Sequence, residues 1–165
     1  MGRIGRMLAA ALSLCAGGLS GPAFAARYDA IDDGFSVVDA LIEKGDYVGA
    51  RKELAALSTE LKADDPRVIR YYERNGAARL REGKAKEARA AFADALRANQ
   101  RLKADDESAA RAYAGLGLCL RQEKKDAYAI KFFRKALALR LDEGTRMFVA
   151  DQIRELEGAP PLPAR

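Results

Sequence analysis

Apolar residues along this chain recur at the spacing of one face of an α-helix. Two stretches show this most clearly: one face holds Tyr113, Leu116, Gly117 and Leu120, and the other holds Phe133, Ala136 and Leu137. A period near 3.6 residues predicts helices rather than strands. Gly45 and Gly83 stand where two such stretches stop, and glycine commonly terminates a helix. The pattern therefore predicts an all-α chain built from consecutive pairs of helices.

A five-residue string, LKADD, occurs at residues 61–65 and again at residues 102–106, 41 positions apart. The same offset aligns Tyr72 with Tyr113, Gly76 with Gly117, Ala88 with Ala129, Phe92 with Phe133, Ala95 with Ala136 and Leu96 with Leu137. A weaker copy, offset by 38, precedes these two. Matches in one register without a gap indicate an internal repeat. We therefore predict three units, at about residues 31–64, 69–102 and 110–143.

The paired aspartates of LKADD could be taken for catalytic carboxylates, but their surroundings favour helix capping. Asp65 precedes Pro66, and proline is favoured at the first position of a helix. Asp106 precedes Glu107, an acidic residue suited to a first helical turn. We predict that both aspartates are N-caps at the corner between one helix pair and the next.

The spacing of Tyr113, Leu116, Gly117 and Leu120, followed by Ala129 and Phe133, resembles the tetratricopeptide repeat. The second unit repeats this with Tyr72, Gly76, Ala88 and Phe92, and the first unit keeps Leu41, Gly45, Tyr47 and Ala50. The closing proline of the family is missing, and units of 38 and 41 residues exceed the usual length of about 34. The resemblance implies a right-handed α-solenoid of three helical hairpins, in which small Gly117 and Ala129 lie where two helices cross.

The segments on either side of the repeats have separate predictions. Residues 144–157 form one more amphipathic stretch, expected to cap the solenoid with its inner side formed by Met147, Ala150, Ile153 and Leu156. Residues 26–157 would then form the repeat domain. Residues 158–165 read APPLPAR after a glycine, which favours a disordered tail, with a proline-rich ligand as the alternative.

The N-terminal residues 1–25 have the pattern of a cleavable signal peptide. Arg3 and Arg6 precede an apolar stretch, and small Ala23 and Ala25 suit cleavage before Ala26. A lipid anchor on Cys15 and a retained anchor helix are the alternatives. With cleavage, we predict an exported protein, periplasmic or secreted, with no membrane span after the signal.

Composition removes several classes of function. The chain has no histidine, the usual general base near neutral pH and the commonest metal ligand. It has no phosphate-binding loop, nucleophile elbow or paired cysteines, so we predict no catalytic residue, cofactor or metal. After cleavage, 27 basic and 24 acidic residues remain, which is too mild a positive charge to argue for nucleic acid. Cys119 lies between Leu118 and Leu120, and we predict that it is buried.

The resemblance implies that the first helix of each hairpin lines a concave groove that holds a peptide or a partner helix. The residues expected there are Arg70, Arg74, Arg81, Arg111, Arg121, Leu118 and Phe35. Because arginine suits carboxylates, we predict a non-catalytic scaffold or adaptor whose groove binds an acidic segment of another protein. One alternative is a solvated helical face without a partner. The other is an accessory domain for an acidic small molecule or envelope polymer.

Overall fold

The computed structural model describes residues 22–104 and 107–158, with side chains from Ala30 onward. The described part is all-α, as predicted. It contains seven helices: α1 (Pro22–Glu43), α2 (Tyr47–Glu60), α3 (Arg67–Arg81), α4 (Ala85–Leu102), α5 (Glu107–Gln122), α6 (Asp126–Leu137) and α7 (Glu143–Leu156). None of these helices is long and apolar enough to cross a membrane.

The helices pack in consecutive pairs, α1 with α2, α3 with α4, and α5 with α6, and α7 packs on α6. Each pair also contacts the next along the chain, through α2 with α3 and α4 with α5. Three apolar clusters follow one another through the molecule, centred on Leu54, Phe92 and Phe133. This arrangement confirms the predicted α-solenoid of three hairpins with a final helix.

Small residues lie where large ring systems need room, as the repeat implied. A Cβ at Gly117 would come within 2.5 Å of the Phe133 ring, and one at Gly76 within 2.7 Å of the Phe92 ring. Gly115, which the sequence analysis did not single out, faces the same Phe92 ring, with 2.3 Å between its hypothetical Cβ and Phe92 Cζ. Phe92 therefore fills its own hairpin and also joins it to the next one.

The helix ends follow the predicted signals, with one shift. Gly45 and Gly83 have φ of 80° and 79°, a conformation that glycine adopts without strain. Asp65 does accept a hydrogen bond from the Arg67 N–H, at 2.9 Å, but the helix begins at Arg67 and Pro66 is its N-cap residue. Asp65 therefore caps the first turn from one position before the N-cap, through the N–H of the first helical residue. The predicted cap at Asp106 lies outside the described residues.

Of two predictions about buried faces, one is wrong and the other is right only in part. Phe35 is fully buried in the core of the first hairpin, because Ile31, Phe35, Val38 and Ile42 form the inner stripe of α1. It therefore cannot contact a partner in the groove. In α7 the predicted inner side is right for Ile153, which is buried, and for Leu156, which packs against the same core, but Met147 is 47% exposed and Val149 is buried instead.

The predicted terminal segments remain predictions. Helix α1 begins at Pro22 and so includes the last four residues of the predicted signal peptide. The rest of that segment, residues 1–21, lies outside the described residues, and so do residues 159–165 of the predicted tail.

Candidate binding groove

A groove with a volume of about 480 Å³ runs along the face formed by α1, α3, α5 and the start of α7. Its apolar lining consists of Ile42, Ala77, Leu80, Phe92, Ala114, Leu118 and Phe148. Phe148 is 47% exposed, whereas Phe92 is almost completely buried at the bottom. The first helices of the hairpins therefore do line a cavity, and Leu118 lies in it as predicted.

Arg74 lies deepest of the predicted arginines, with a side chain only 11% exposed. Its guanidinium pairs with Glu73 on the same helix and with Asp39 on α1, where Arg74 Nη2 lies 3.1 Å from Asp39 Oδ2. A guanidinium held by two carboxylates has few donors left for a ligand. Arg74 therefore joins the first hairpin to the second across the groove.

Arg70 and Arg111 are also occupied by carboxylates. Arg70 donates to Asp39 Oδ2 at 3.2 Å, and its guanidinium carbon lies 4.6 Å from the centre of the Phe35 ring. Arg111 pairs with Glu107 and donates to Asp142 Oδ2 at 3.0 Å. Asp142 is the N-cap of α7, so Arg111 holds the final helix against the third hairpin.

The last two predicted arginines differ from each other. Arg121 donates to Gln152 and lies 2.8 Å from Glu155, so it is used to hold α7 rather than to line the groove. Arg81 lies exposed at the groove edge and pairs with no carboxylate of the described residues. The structure thus brings Arg74, Arg81 and Arg111 into the groove and places Arg121 outside it.

A second cavity of about 400 Å³ adjoins the groove. It is lined by Asp39, Arg70, Arg74, Glu107, Ser108 and Arg111. Three arginines meet there, but Asp39 and Glu107 already accept their hydrogen bonds. An anionic ligand would therefore have to displace a carboxylate of the protein.

The most unusual group of the groove is Glu73, which the sequence analysis missed. Glu73 is 4% exposed, and burial raises the pKa of its carboxyl above the ordinary value although Arg74 and Arg111 oppose this. A signal was present, because Ile69, Glu73 and Gly76 recur at helical spacing on the buried face of α3. The carboxylate is kept in the interior by its pairing with Arg74.

Charges in the groove are therefore balanced rather than basic. Four carboxylates line it together with three arginines: Asp39, Glu43, Glu73 and Asp142 with Arg74, Arg81 and Arg111. The groove is therefore not the basic face of five arginines that was predicted, because Asp39, Glu43 and Asp142 come from elements distant in the sequence and Glu73 lies on α3 itself.

The described residues of this groove offer few groups suited to catalysis or metal binding. Among the described residues, no three histidine, cysteine, aspartate or glutamate side chains are grouped to hold a metal ion. Cys119 lies outside the groove, is fully buried in the core around Phe92, and has a pKa raised to about 11, chiefly by burial. The groove offers shape, apolar surface and fixed ion pairs, which are features of a binding site.

Residues 67–142 match the family model of the tetratricopeptide repeat. The second and third hairpins therefore carry the tetratricopeptide repeat. The matched segment covers the second and third hairpins, where the resemblance in the sequence is strongest. A search of the curated proteins finds no sequence that matches this chain.

Among solved structures, the fold is similar to that of the Yersinia enterocolitica type III secretion chaperone SycD, whose crystal structure is of a complex with a peptide of the translocator YopD. The TM-score is 0.60 and the sequence identity 19%, over 78% of this chain and 93% of that chain. This likeness confirms the fold.

Proposed function

We propose that this tetratricopeptide repeat protein is a non-catalytic scaffold or adaptor that binds a segment of another protein in the groove. The observation that carries the proposal is the groove itself, an open cavity whose walls come from successive hairpins and about half of whose lining residues are apolar. The fold also supports it, because SycD, which has a similar fold, was crystallised in complex with a peptide.

The apolar positions should supply most of the affinity. Leu80, Leu118 and Phe148 are partly exposed in the groove. Fully burying such a side chain from water contributes about 1.5–3 kcal/mol, so burying the part of each that is still exposed contributes a fraction of that. The charged positions contribute less, because Arg74 and Arg111 already have carboxylate partners. We therefore propose a partner segment with apolar side chains spaced to reach these positions.

An acidic character of that segment remains part of the proposal. Its support is Arg81, which is exposed at the groove edge, and Arg111, whose partner Asp142 is itself 43% exposed. A carboxylate of the partner would have to compete with Asp142 for Arg111. The alternative of an acidic small molecule has less support, because the cavity with three arginines already contains Asp39 and Glu107.

A pair of photocrosslinking positions tests the site. A photoreactive amino acid in place of Phe148 lies in the groove, and one in place of Tyr128, which is 59% exposed, lies outside it on α6. The expected result is one defined polypeptide crosslinked at position 148 and none at position 128. The proposal also requires that a synthetic peptide covering the crosslinked segment binds the purified chain, and that Leu118→Asp weakens this binding.

Two results would contradict the proposal. Equal crosslinking at both positions would indicate non-specific contact. A crosslinked segment whose synthetic peptide binds the Leu118→Asp variant as well as the original chain would place the site elsewhere.

We also propose that the protein works in the periplasm or cell envelope. The support is the signal-like pattern of residues 1–25. Mass spectrometry of the protein isolated from envelope and cytoplasmic fractions tests this. An N-terminus at Ala26 in the envelope fraction is expected, and a cytoplasmic protein that keeps residues 1–25 would refute it.

A further inference from the structure

A large part of the positive charge of this protein lies on the second helices of its last two hairpins and their flanking turns, away from the groove. Residues 84–103 and 124–140 contain twelve basic and three acidic residues, a net charge of +9. Because the whole chain carries +5, the remaining residues together carry −4. The charge is therefore unevenly distributed: α4 and α6 with their flanking turns carry +9, and α3, the other basic helix, carries +4 from five arginines and one glutamate.

The basic side chains of α4 and α6 project into solvent. The α4–α6 surface is defined here by Lys86, Arg89, Arg97, Lys131, Arg134 and Lys135, all of which are exposed. The opposite sides of the two helices are buried, at Ala88, Phe92 and Ala95 in α4 and at Ala129, Phe133 and Ala136 in α6. Since α4 and α6 occupy equivalent places in successive hairpins, their outer sides form one face of the solenoid.

The two halves of this face are in direct contact. Arg89 of α4 lies 2.9 Å from Glu123, in the turn before α6, and Lys125 lies 2.7 Å from the same carboxylate. Lys125, Arg89 and Lys86 together lower the pKa of Glu123. One carboxylate is thus surrounded by three cations, so the positive charge continues from one hairpin to the next.

The cations of the α4–α6 surface that have no carboxylate partner indicate which ligands this surface would attract. Arg89, Arg97 and Arg134 pair with Glu123, Asp94 and Glu157, whereas Lys86, Lys131 and Lys135 have no ion pair with a carboxylate of the described residues. Lysine is a mobile point charge on a flexible stem, which suits a dense negative field better than fixed two-pronged recognition of one carboxylate.

One aromatic residue supports a lipid surface in particular. Tyr128 is 59% exposed on α6, and Lys131 Nζ lies 5.4 Å from its ring centre. An exposed tyrosine among lysines suits the headgroup region of a membrane, where its ring and hydroxyl meet different surroundings. We propose that the α4–α6 surface binds the headgroups of an anionic membrane, so that the groove on the other side stays open to its own partner.

Flotation of the purified chain with phosphatidylcholine vesicles, with and without phosphatidylglycerol, tests this surface. The expected result is binding to the anionic vesicles that weakens as salt is added, because attraction to a charged headgroup layer is screened. Insertion of the apolar N-terminal residues alone would instead bind both kinds of vesicle equally, and that outcome would overturn the proposal.

A matched pair of triple variants makes the test specific. Lys86→Glu, Lys131→Glu and Lys135→Glu together should lower the vesicle partition coefficient by at least about tenfold, since each basic residue near an anionic surface contributes several-fold. Lys44→Glu, Lys52→Glu and Lys62→Glu make the same change of net charge at exposed lysines near the first hairpin. The vesicle partition coefficient of that control should stay within about twofold of the value for the original chain if the position of the charge matters.

Three results would overturn the proposal. The first is an equal loss of binding in both triple variants, provided that circular dichroism shows both to be folded. The second is unchanged binding in the α4–α6 variant. The third is binding to polyglutamate or duplex DNA that requires the same lysines, without binding to anionic vesicles.

Discussion

Removing the guanidinium of Arg74 is the sharpest test of how the groove is held together. The substitution Arg74→Met keeps an unbranched side chain of similar length but leaves Glu73 without its hydrogen-bonded cation. Glu73 is 4% exposed and the Arg74 side chain 11% exposed, so the pair lies in the interior. Breaking a buried pair from one side costs about 3–5 kcal/mol. Arg111 still attracts Glu73, so we expect about 3 kcal/mol, the lower end of that range.

The loss of stability in Arg74→Met should depend on pH, and the direction of this dependence follows from the direction in which the pKa of Glu73 is shifted. Burial already raises the pKa of Glu73, and removing Arg74 raises it further. In the pH range between the unfolded and folded pKa, the folded state then binds more protons than the unfolded state. Stability is therefore greatest below the unfolded pKa and falls as pH rises through the folded one. Relative to the original chain, Arg74→Met should therefore lose the least stability at about pH 5 and the most at about pH 8.

Urea unfolding followed by circular dichroism at these two pH values measures the effect. The control is Arg97→Met, which removes a pair with Asp94 whose side chains are 68% and 39% exposed, and which should cost less than about 1 kcal/mol. The double variant Glu73→Gln with Arg74→Met should recover part of the loss, because no buried charge remains. A cost for Arg74→Met below about 1 kcal/mol at both pH values would refute the buried-pair reasoning.

Core and thiol predictions can be checked on the same samples. Phe133→Ala should lower the free energy of unfolding by about 3–5 kcal/mol, and an unchanged urea midpoint would mean that Phe133 is not the centre of the third hairpin. Gly115→Ala should cost about 1–3 kcal/mol, because its Cβ would lie 2.3 Å from Phe92 Cζ, whereas Gly144→Ala, with its nearest atom at 3.4 Å, should change stability by about 0.5 kcal/mol or less. Cys119, with its pKa raised to about 11, should react slowly with iodoacetamide at neutral pH until urea unfolds the chain, and rapid native labelling would contradict its burial.

The fold could be predicted from the sequence because its information is local and repeated. Helical spacing, the 41-residue offset and the glycines at helix ends each depend on residues close together in the chain. Prediction was least accurate for the first hairpin, because its copy of the repeat keeps few of the repeat residues. There the spacing of Ile31, Phe35, Val38 and Ile42 indicated a buried stripe, but Phe35 was assigned to the groove from the family resemblance.

The charge state of the groove could not be predicted in the same way. Arg74 pairs with Asp39 and Arg111 with Asp142, partners that are 35 and 31 residues away. Such pairs depend on how the hairpins stack, which spacing within one helix does not give. The basic surface of α4 and α6, in contrast, could have been found by counting charge over each second helix together with its flanking turns. It was missed because the resemblance directed attention to the first helices.

The two faces of the solenoid should respond differently to salt, because they use their charges differently. In the groove, Arg74 and Arg111 are partly buried and bridge neighbouring helices, and such charges are screened less than exposed ones. A peptide held there mainly by Leu118 and Phe148 should keep its affinity as salt is raised, because apolar burial does not weaken with ionic strength. On the α4–α6 surface the cations are exposed, so vesicle binding should fall steeply over the same range. If the groove peptide shows the steeper loss, arginine pairing governs its binding after all, and the apolar positions are secondary.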